Sequence, residues 1–207
     1  MSEPLKRRRG RPPKIERSFD DTKQAIIRAG LELITEFGFQ SAGIEPLLKK
    51  INVPKGSFYH YFSSKDDFGL AVLKAYGSYF SHKLSKHLEN TTISPIERMD
   101  AFVADAERGL QKYEYKRGCL VGNLMQEVPQ LSETLNIQLV RILEQWQSQV
   151  KACLDEGKLA GQVAQDCDTA YLAKVFWSSW EGAVMQVKVH KSTQPLDEFW
   201  QFFKRSL

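Results

Sequence analysis

The chain has 207 residues, 42% hydrophobic and 26% charged, which is enough apolar material for one large or two modest domains with a real core. No stretch is long and apolar enough to span a membrane and the first residues hold no apolar signal region, so a soluble cytoplasmic protein with no membrane partner is expected. The three cysteines, Cys119, Cys153 and Cys167, are an odd number without metal-type spacing, which argues against a disulfide framework and against a metal centre.

The net charge of +4 is unevenly spread: residues 1–17 carry seven Lys or Arg against two Glu, so the remaining 190 residues sum to −1. Such a concentration suits a polyanion. Within this arm, Lys6-Arg-Arg-Arg-Gly-Arg-Pro-Pro-Lys14 resembles the AT-hook. In that motif an extended backbone carries arginines, here Arg9 and Arg11, into a narrow A·T-rich minor groove. The alternative is a basic tail that contacts phosphates without sequence preference, and either reading predicts affinity that falls with salt.

After the arm, Ile26, Ala29, Leu33 and Phe37 form an apolar stripe that stops at Gly38, an amphipathic helix with a glycine terminator. A short helix is expected from Glu45 to Ile51, with Pro46 tolerated in its first turn and Leu47, Leu48 and Ile51 available to bury. Next comes Val53-Pro-Lys-Gly-Ser-Phe-Tyr-His-Tyr-Phe-Ser-Ser-Lys65, in which Pro54 and Gly56 punctuate a tight turn. On a helix starting near Gly56, Phe58 and Phe62 share one face at i, i+4, and Lys55, Ser57, Tyr59 and His60 are left outside. Those four can hydrogen-bond to phosphate oxygens or base edges, the chemistry of a helix lying in a major groove.

This succession of helix, short helix, turn and aromatic helix resembles the DNA-binding domain of the TetR family of regulators, most specifically over residues 22–68 and at Gly56-Ser-Phe-Tyr-His-Tyr-Phe-Ser-Ser-Lys65. The resemblance implies an all-α fold in three parts: a basic arm (1–17), a helix-turn-helix head (18–65) and a helical effector-binding and dimerisation domain (66–207). Within this head Lys55, Ser57 and His60 are expected to meet base edges or adjacent phosphates, with Gly56 among the DNA-binding residues. Tyr59 and Lys65 would anchor phosphate, and Tyr61 would do either. At Gly43 many members carry a hydroxyl that touches phosphate; here Ser41 or a backbone N–H must supply that contact.

Further helices are expected over Lys65 to Asn90, Pro95 to Tyr115, Cys119 to Glu127 and Asp168 to His190, with an apolar stripe of Leu135, Leu139, Ile142, Leu143, Trp146, Val150, Cys153 and Leu154 marking another. The segment from Asp168 is apolar on nearly every side, and the last helix presents Leu196, Phe199, Trp200 and Phe203 together. A lone chain would leave much of this surface wet, so these two helices are expected to pair with a second copy in a four-helix homodimer interface.

Tyr115-Lys-Arg-Gly-Cys-Leu-Val-Gly-Asn-Leu-Met-Gln-Glu127 and Trp180-Glu-Gly-Ala-Val-Met-Gln-Val-Lys188 resemble the subgroup containing the repressor of N-ethylmaleimide reductase and acrylate-responsive repressors. That implies a small effector, acrylate or a reactive electrophile, and a sensing role for Cys119 assisted by Lys188. Lys116, Arg117 and a helix N-terminus nearby are expected to favour the thiolate. Read without the resemblance, Cys119 is a small residue chosen for close packing. Cys153 reads as core and Cys167, between two aspartates, as inert. Trp146, Trp177 and Trp180 are candidate walls of an effector pocket, with Asn123 and Lys188 as polar contacts; ordinary core is the alternative for the tryptophans.

An enzyme is disfavoured. There is no phosphate loop, nucleophile elbow or cofactor motif, and His82 and His87 at i, i+5 miss the spacing of a helical metal pair. An architectural DNA binder using only the arm, or a protein-interaction module, would lack a response to small molecules.

Overall fold

The computed structural model describes residues 19–207; the arm, with Arg9 and Arg11, lies outside them. Regular structure among these residues is helical: α1 (Phe19–Phe37), α2 (Ile44–Lys50), α3 (Lys55–Tyr61), α4 (Lys65–Leu88), α5 (Pro95–Lys112), α6 (Leu120–Met125), a 3₁₀ turn (Val128–Gln130), α7 (Glu133–Leu159), α8 (Thr169–His190) and α9 (Gln194–Lys204). None is long and apolar enough to cross a membrane.

Helix ends follow from local chemistry. Ser64 caps α4 by accepting the Asp67 N–H at 3.0 Å, and the Asp67 carboxylate returns to the Ser63 N–H at 2.9 Å. Ser94 opens α5 with Pro95 in the first turn and Glu97 accepting the Ser94 N–H at 2.8 Å. Asp168 accepts from the N–H groups of Ala170 and Tyr171, both at 3.0 Å, and so begins α8.

Two expectations, one for α1 and one for α5, need revision. Phe37 does not finish the buried stripe; it is 59% exposed, while Ile27 and Ile34 join Ile26 and Ala29 in the core. The cause is Gly38, whose φ of +85° ends α1 in the left-handed region and turns the chain back, so that Phe39 enters the core in place of Phe37. The helix expected to reach Tyr115 stops at Lys112 because Glu114 and Tyr115 both take positive φ, 53° and 58°. Two successive non-glycine residues in that region redirect the chain toward Cys119.

α4 joins the two ends of the molecule. At its start Phe68 meets Phe58 and Phe62 of the head, with ring centroids 5.5 and 5.3 Å away. Further along, Phe80 packs on Trp146 at 4.5 Å and on Trp177 at 6.0 Å, inside a body core that also holds Phe102, Phe176 and Trp180. The α7 stripe is buried as its periodicity requires, apart from half-buried Leu143.

The expectation that a lone chain leaves much of α8 wet is corrected. Leu172, Phe176, Trp177, Trp180, Val184 and Val187 are buried within one chain, which packs α8 against α7 and α9. What remains in solvent is narrower, including Tyr171 (64% exposed) and Val189 on α8 and Phe202 on α9.

Candidate DNA-reading head and effector cavity

In the head, α3 is held by Phe58, which is fully buried, and by Phe62 just past its end. The opposite face presents Lys55, Gly56, Tyr59 and His60 to solvent, with Ser57 and Tyr61 half-buried. Lys55 pairs loosely with Glu45 of α2 at 3.6 Å, and both remain well exposed. Ser41 is exposed in the turn before α2, and Gly43 begins α2 without a side-chain cap. Lys65 is drawn inward, donating to the Gln40 carbonyl at 3.0 Å and lying 4.9 Å from the Phe39 ring centre. An ammonium has three donors, so this leaves some for another acceptor.

In the body, a cavity of about 520 Å³ opens between α1, α4, α5 and α8. Leu31, Tyr76, Phe80, Leu110, Trp180 and Val184 make it largely apolar. Three cations also line it: Arg28, Lys83 and Arg117. Lys83 pairs with Asp105 at 3.0 Å, and Arg117 pairs with Glu32 at 3.4 Å while covering the Tyr113 ring at 4.3 Å.

Of the candidate effector residues, Cys119 and Trp180 are in the cavity wall and four others are not. Trp146 and Trp177 are core: both are buried, their rings tilted against each other with centroids 5.0 Å apart, and Trp146 donates to Ser81 Oγ at 3.2 Å. Asn123 spends its amide on the Ile34 and Thr35 carbonyls of α1, at 3.1 and 3.0 Å. Lys188 lays its stem beside Gly118.

The expectation of an activated thiolate at Cys119 also fails. Cys119 precedes α6 and is 7% exposed. Burial, and secondly the charge of Glu181, push its thiol well above the usual range. The nearby cations are committed elsewhere, Lys116 to Glu114 and Arg117 to Glu32. Tyr76 donates its hydroxyl to Cys119 Sγ at 3.6 Å, and the Glu181 carboxylate lies beside the cysteine, both residues meeting the space a Cβ on Gly122 would fill. Cys153 is core, its thiol on the Pro95 carbonyl at 3.3 Å and raised to about 11 by burial. Cys167 is half-buried near the C-terminal carbonyls.

The segment after Cys119 is tied directly to the head. Besides Asn123, Glu127 accepts the N–H groups of Phe39 at 3.1 Å and Gln40 at 3.0 Å, just beyond the end of α1. A Cβ at Gly38 would strike the Glu127 carboxylate, so that glycine serves both the turn and the clamp. Sequence reading missed Glu127, Glu181 and the wall contributed by α1. For α1 a signal existed: Arg28, Leu31, Glu32 and Thr35 recur at i, i+3, i+4 and i+7, a second helical face beside the apolar one.

A short helix-turn-helix borne on an all-helical body with an internal cavity is the plan of a one-component bacterial regulator. Residues 26–72 match the family described as bacterial regulatory proteins, tetR family, and residues 95–203 match the tetracyclin repressor-like C-terminal domain. The chain belongs to the TetR family; it is a DNA-binding transcription regulator and not an enzyme. It is 41% identical to the transcriptional regulator AcuR of Cereibacter sphaeroides, covering 99% of this chain and 93% of that one. It is 29% identical to the transcriptional repressor NemR of Escherichia coli K12, covering 86% and 89%. Among solved structures, the regulatory protein TetR from Rhodobacter sphaeroides superposes with a TM-score of 0.86 at 41% identity, covering 88% and 97%.

Proposed function

We propose that the chain is a homodimeric repressor released from a near-palindromic operator by a small effector, an unsaturated acid such as acrylate or a reactive electrophile. The observation that carries this reading is that one wall of the cavity is α1 of the head itself, through Arg28, Leu31, Glu32 and Thr35. A molecule entering the cavity therefore touches the head and the body at once. Arg28, Lys83 and Arg117 suit a carboxylate, the apolar wall suits the rest of the molecule, and Cys119 offers a thiol to an electrophile. Filling the cavity or modifying Cys119 shifts α4 and the Asn123–Glu127 clamp on α1, and the heads lose operator spacing.

In this mechanism residues 66–207 sense and dimerise, with Tyr171, Val189 and Phe202 contributing to the contact between copies. Residues 18–65 read DNA. Two α3 helices about 34 Å apart meet successive major grooves, which makes the operator near-palindromic. Lys55, Ser57 and His60 approach base edges or adjacent phosphates, Gly56 lies at the DNA-binding face, Tyr59, Lys65 and Ser41 anchor phosphate, and Tyr61 does either. Arg9 and Arg11 of the arm follow the minor groove.

The test is a footprint on the DNA flanking the protein's own coding region, with and without acrylate and N-ethylmaleimide. Protection of a near-palindrome relieved by either agent is the expected result; protection that neither relieves removes the effector assignment. Within the head, Tyr59→Ala is expected to weaken all sequences alike, whereas Lys55→Ala changes preference by about 1–3 kcal/mol at the base pair it meets. Binding assays on a panel of operator variants separate the two. An equal loss everywhere for the Lys55 variant moves that lysine to the anchoring group.

A further inference from the structure

Behind Cys119 lies a carboxylate that folding alone does not explain. Glu181 is 3% exposed on α8, and its Oε1 finds no hydrogen-bond partner. Among the described residues the other strongly buried charge, Arg98, is bonded through Nε and Nη1 to the Ile93 and Leu88 carbonyls and to Glu156. Glu181 instead lies beside Cys119, close enough that a Cβ on Gly122 would meet both the Glu181 carboxylate and the Cys119 Cβ. An apolar residue there would avoid the desolvation cost. The fold makes room for the carboxylate all the same: a Cβ on Gly122 of α6 would collide with Glu181 Oε2.

We propose that Glu181 is the proton acceptor for Cys119 when the sulfur adds to an electron-poor alkene in the cavity, with the Tyr76 hydroxyl bonded to the sulfur. This rests on reading Cys119 as a chemical sensor. The thiol proton passes to the Glu181 carboxylate as the sulfur lone pair forms a bond to the β-carbon of an α,β-unsaturated carbonyl. The π pair moves toward the carbonyl as an enolate, which takes a proton from water, and Glu181 releases its own proton to solvent. The sum is thiol plus alkene giving thioether, with no oxidant and no leaving group.

The arrangement explains how so deeply buried a thiol can react. Its own ionisation is suppressed, so an acceptor must take the proton during attack. Burial lifts Glu181 to about 7, so its basic form gains ground as pH rises through neutrality. The titratable groups facing it are Cys119 before α6 and Tyr76 of α4. Along α8, Lys188 packs its stem on Gly118, and Arg28, Glu32, Lys83 and Arg117 line the same cavity as Cys119.

The test is the rate of N-ethylmaleimide labelling at each cysteine of the full chain, followed by peptide mass spectrometry from pH 5.5 to 9. In the unaltered protein the Cys119 rate is expected to pass through an inflection near 7. Glu181→Gln is expected to slow Cys119 by about tenfold or more and to abolish the inflection, leaving the Cys167 rate unchanged. Glu181→Asp, which keeps the carboxylate, restores part of the rate. Equal Cys119 rates in the unaltered and Gln forms overturn the role of Glu181 while retaining the sensor reading. A steady climb without inflection in the unaltered protein overturns it even if the variants do not fold. No labelling of Cys119 at any pH removes the sensor reading and this proposal together.

Discussion

Exchanging Phe58 for alanine is expected to lower stability by about 3–5 kcal/mol and to abolish DNA binding at every sequence. Phe58 is fully buried, and its ring lies 5.3 Å from Phe62 and 5.5 Å from Phe68. It is the side chain of α3 that is buried within the helix itself. A seven-residue helix is too short to persist alone, so α3 holds its position through packing on its neighbours, α2 and, by way of Phe58 on Phe68, α4. Removing the ring opens a void that the neighbouring aromatics cannot close, and the exposed face loses its orientation. Urea unfolding followed by circular dichroism, together with gel shifts on specific and unrelated DNA, gives the readout. The surface change Tyr59→Ala, on the same helix, is expected to alter stability by less than about 0.5 kcal/mol, which separates loss of fold from loss of contact. Full stability and affinity in the Phe58 variant would mean that α3 is anchored by something else.

Glu181→Gln is expected to stabilise the protein at pH 8 relative to pH 5. Burial raises the folded-state value of Glu181 from 4.5 to about 7. The unfolded chain therefore releases this proton first, and stability is lost as pH rises from about 4.5 through about 7. Above that window both states are ionised and the folded state carries the full cost of a buried charge. Glutamine carries no charge to bury, so the variant's advantage at pH 8 over pH 5 is on the order of 2 to 3 kcal/mol. Any fixed cost of the amide is common to both pH values and cancels. Denaturant midpoints of both forms at the two pH values check this, and a pH-independent difference would show that Glu181 is already ionised at pH 5.

The head was legible in the sequence because its signals are short-range. Pro54, Gly56 and the Phe58/Phe62 pair lie within nine residues and determine α3 between them. Phe37 was assigned to the buried stripe because it keeps the helical spacing up to Gly38, whereas the backbone reverses at that glycine and Phe39 fills the core instead. The cavity was only half legible. Its wall is assembled from α1, α4, α5, α8 and the turn before α6, and no spacing within one helix encodes which faces meet. The tryptophans at 146 and 177 were plausible walls by size, but α4 lies across them and Phe80 takes the cavity side. Glu181 did leave a trace: a carboxylate four residues after Trp177, on a stripe that is otherwise apolar.

The placement of α1 bears on how such regulators can be rebuilt. A chimera joined at the start of α4, which looks like a natural seam, would import a foreign first helix. It would replace Arg28, Leu31, Glu32 and Thr35 at the cavity, and the backbone carbonyls at 34 and 35 that Asn123 uses would stay in reach only if the foreign helix followed the same path. On the proposed mechanism, effector preference and DNA preference are therefore not exchanged as independent modules. The transferable unit for a new operator is the segment α2–α3 alone, grafted between an α1 and an α4 that stay with their own body.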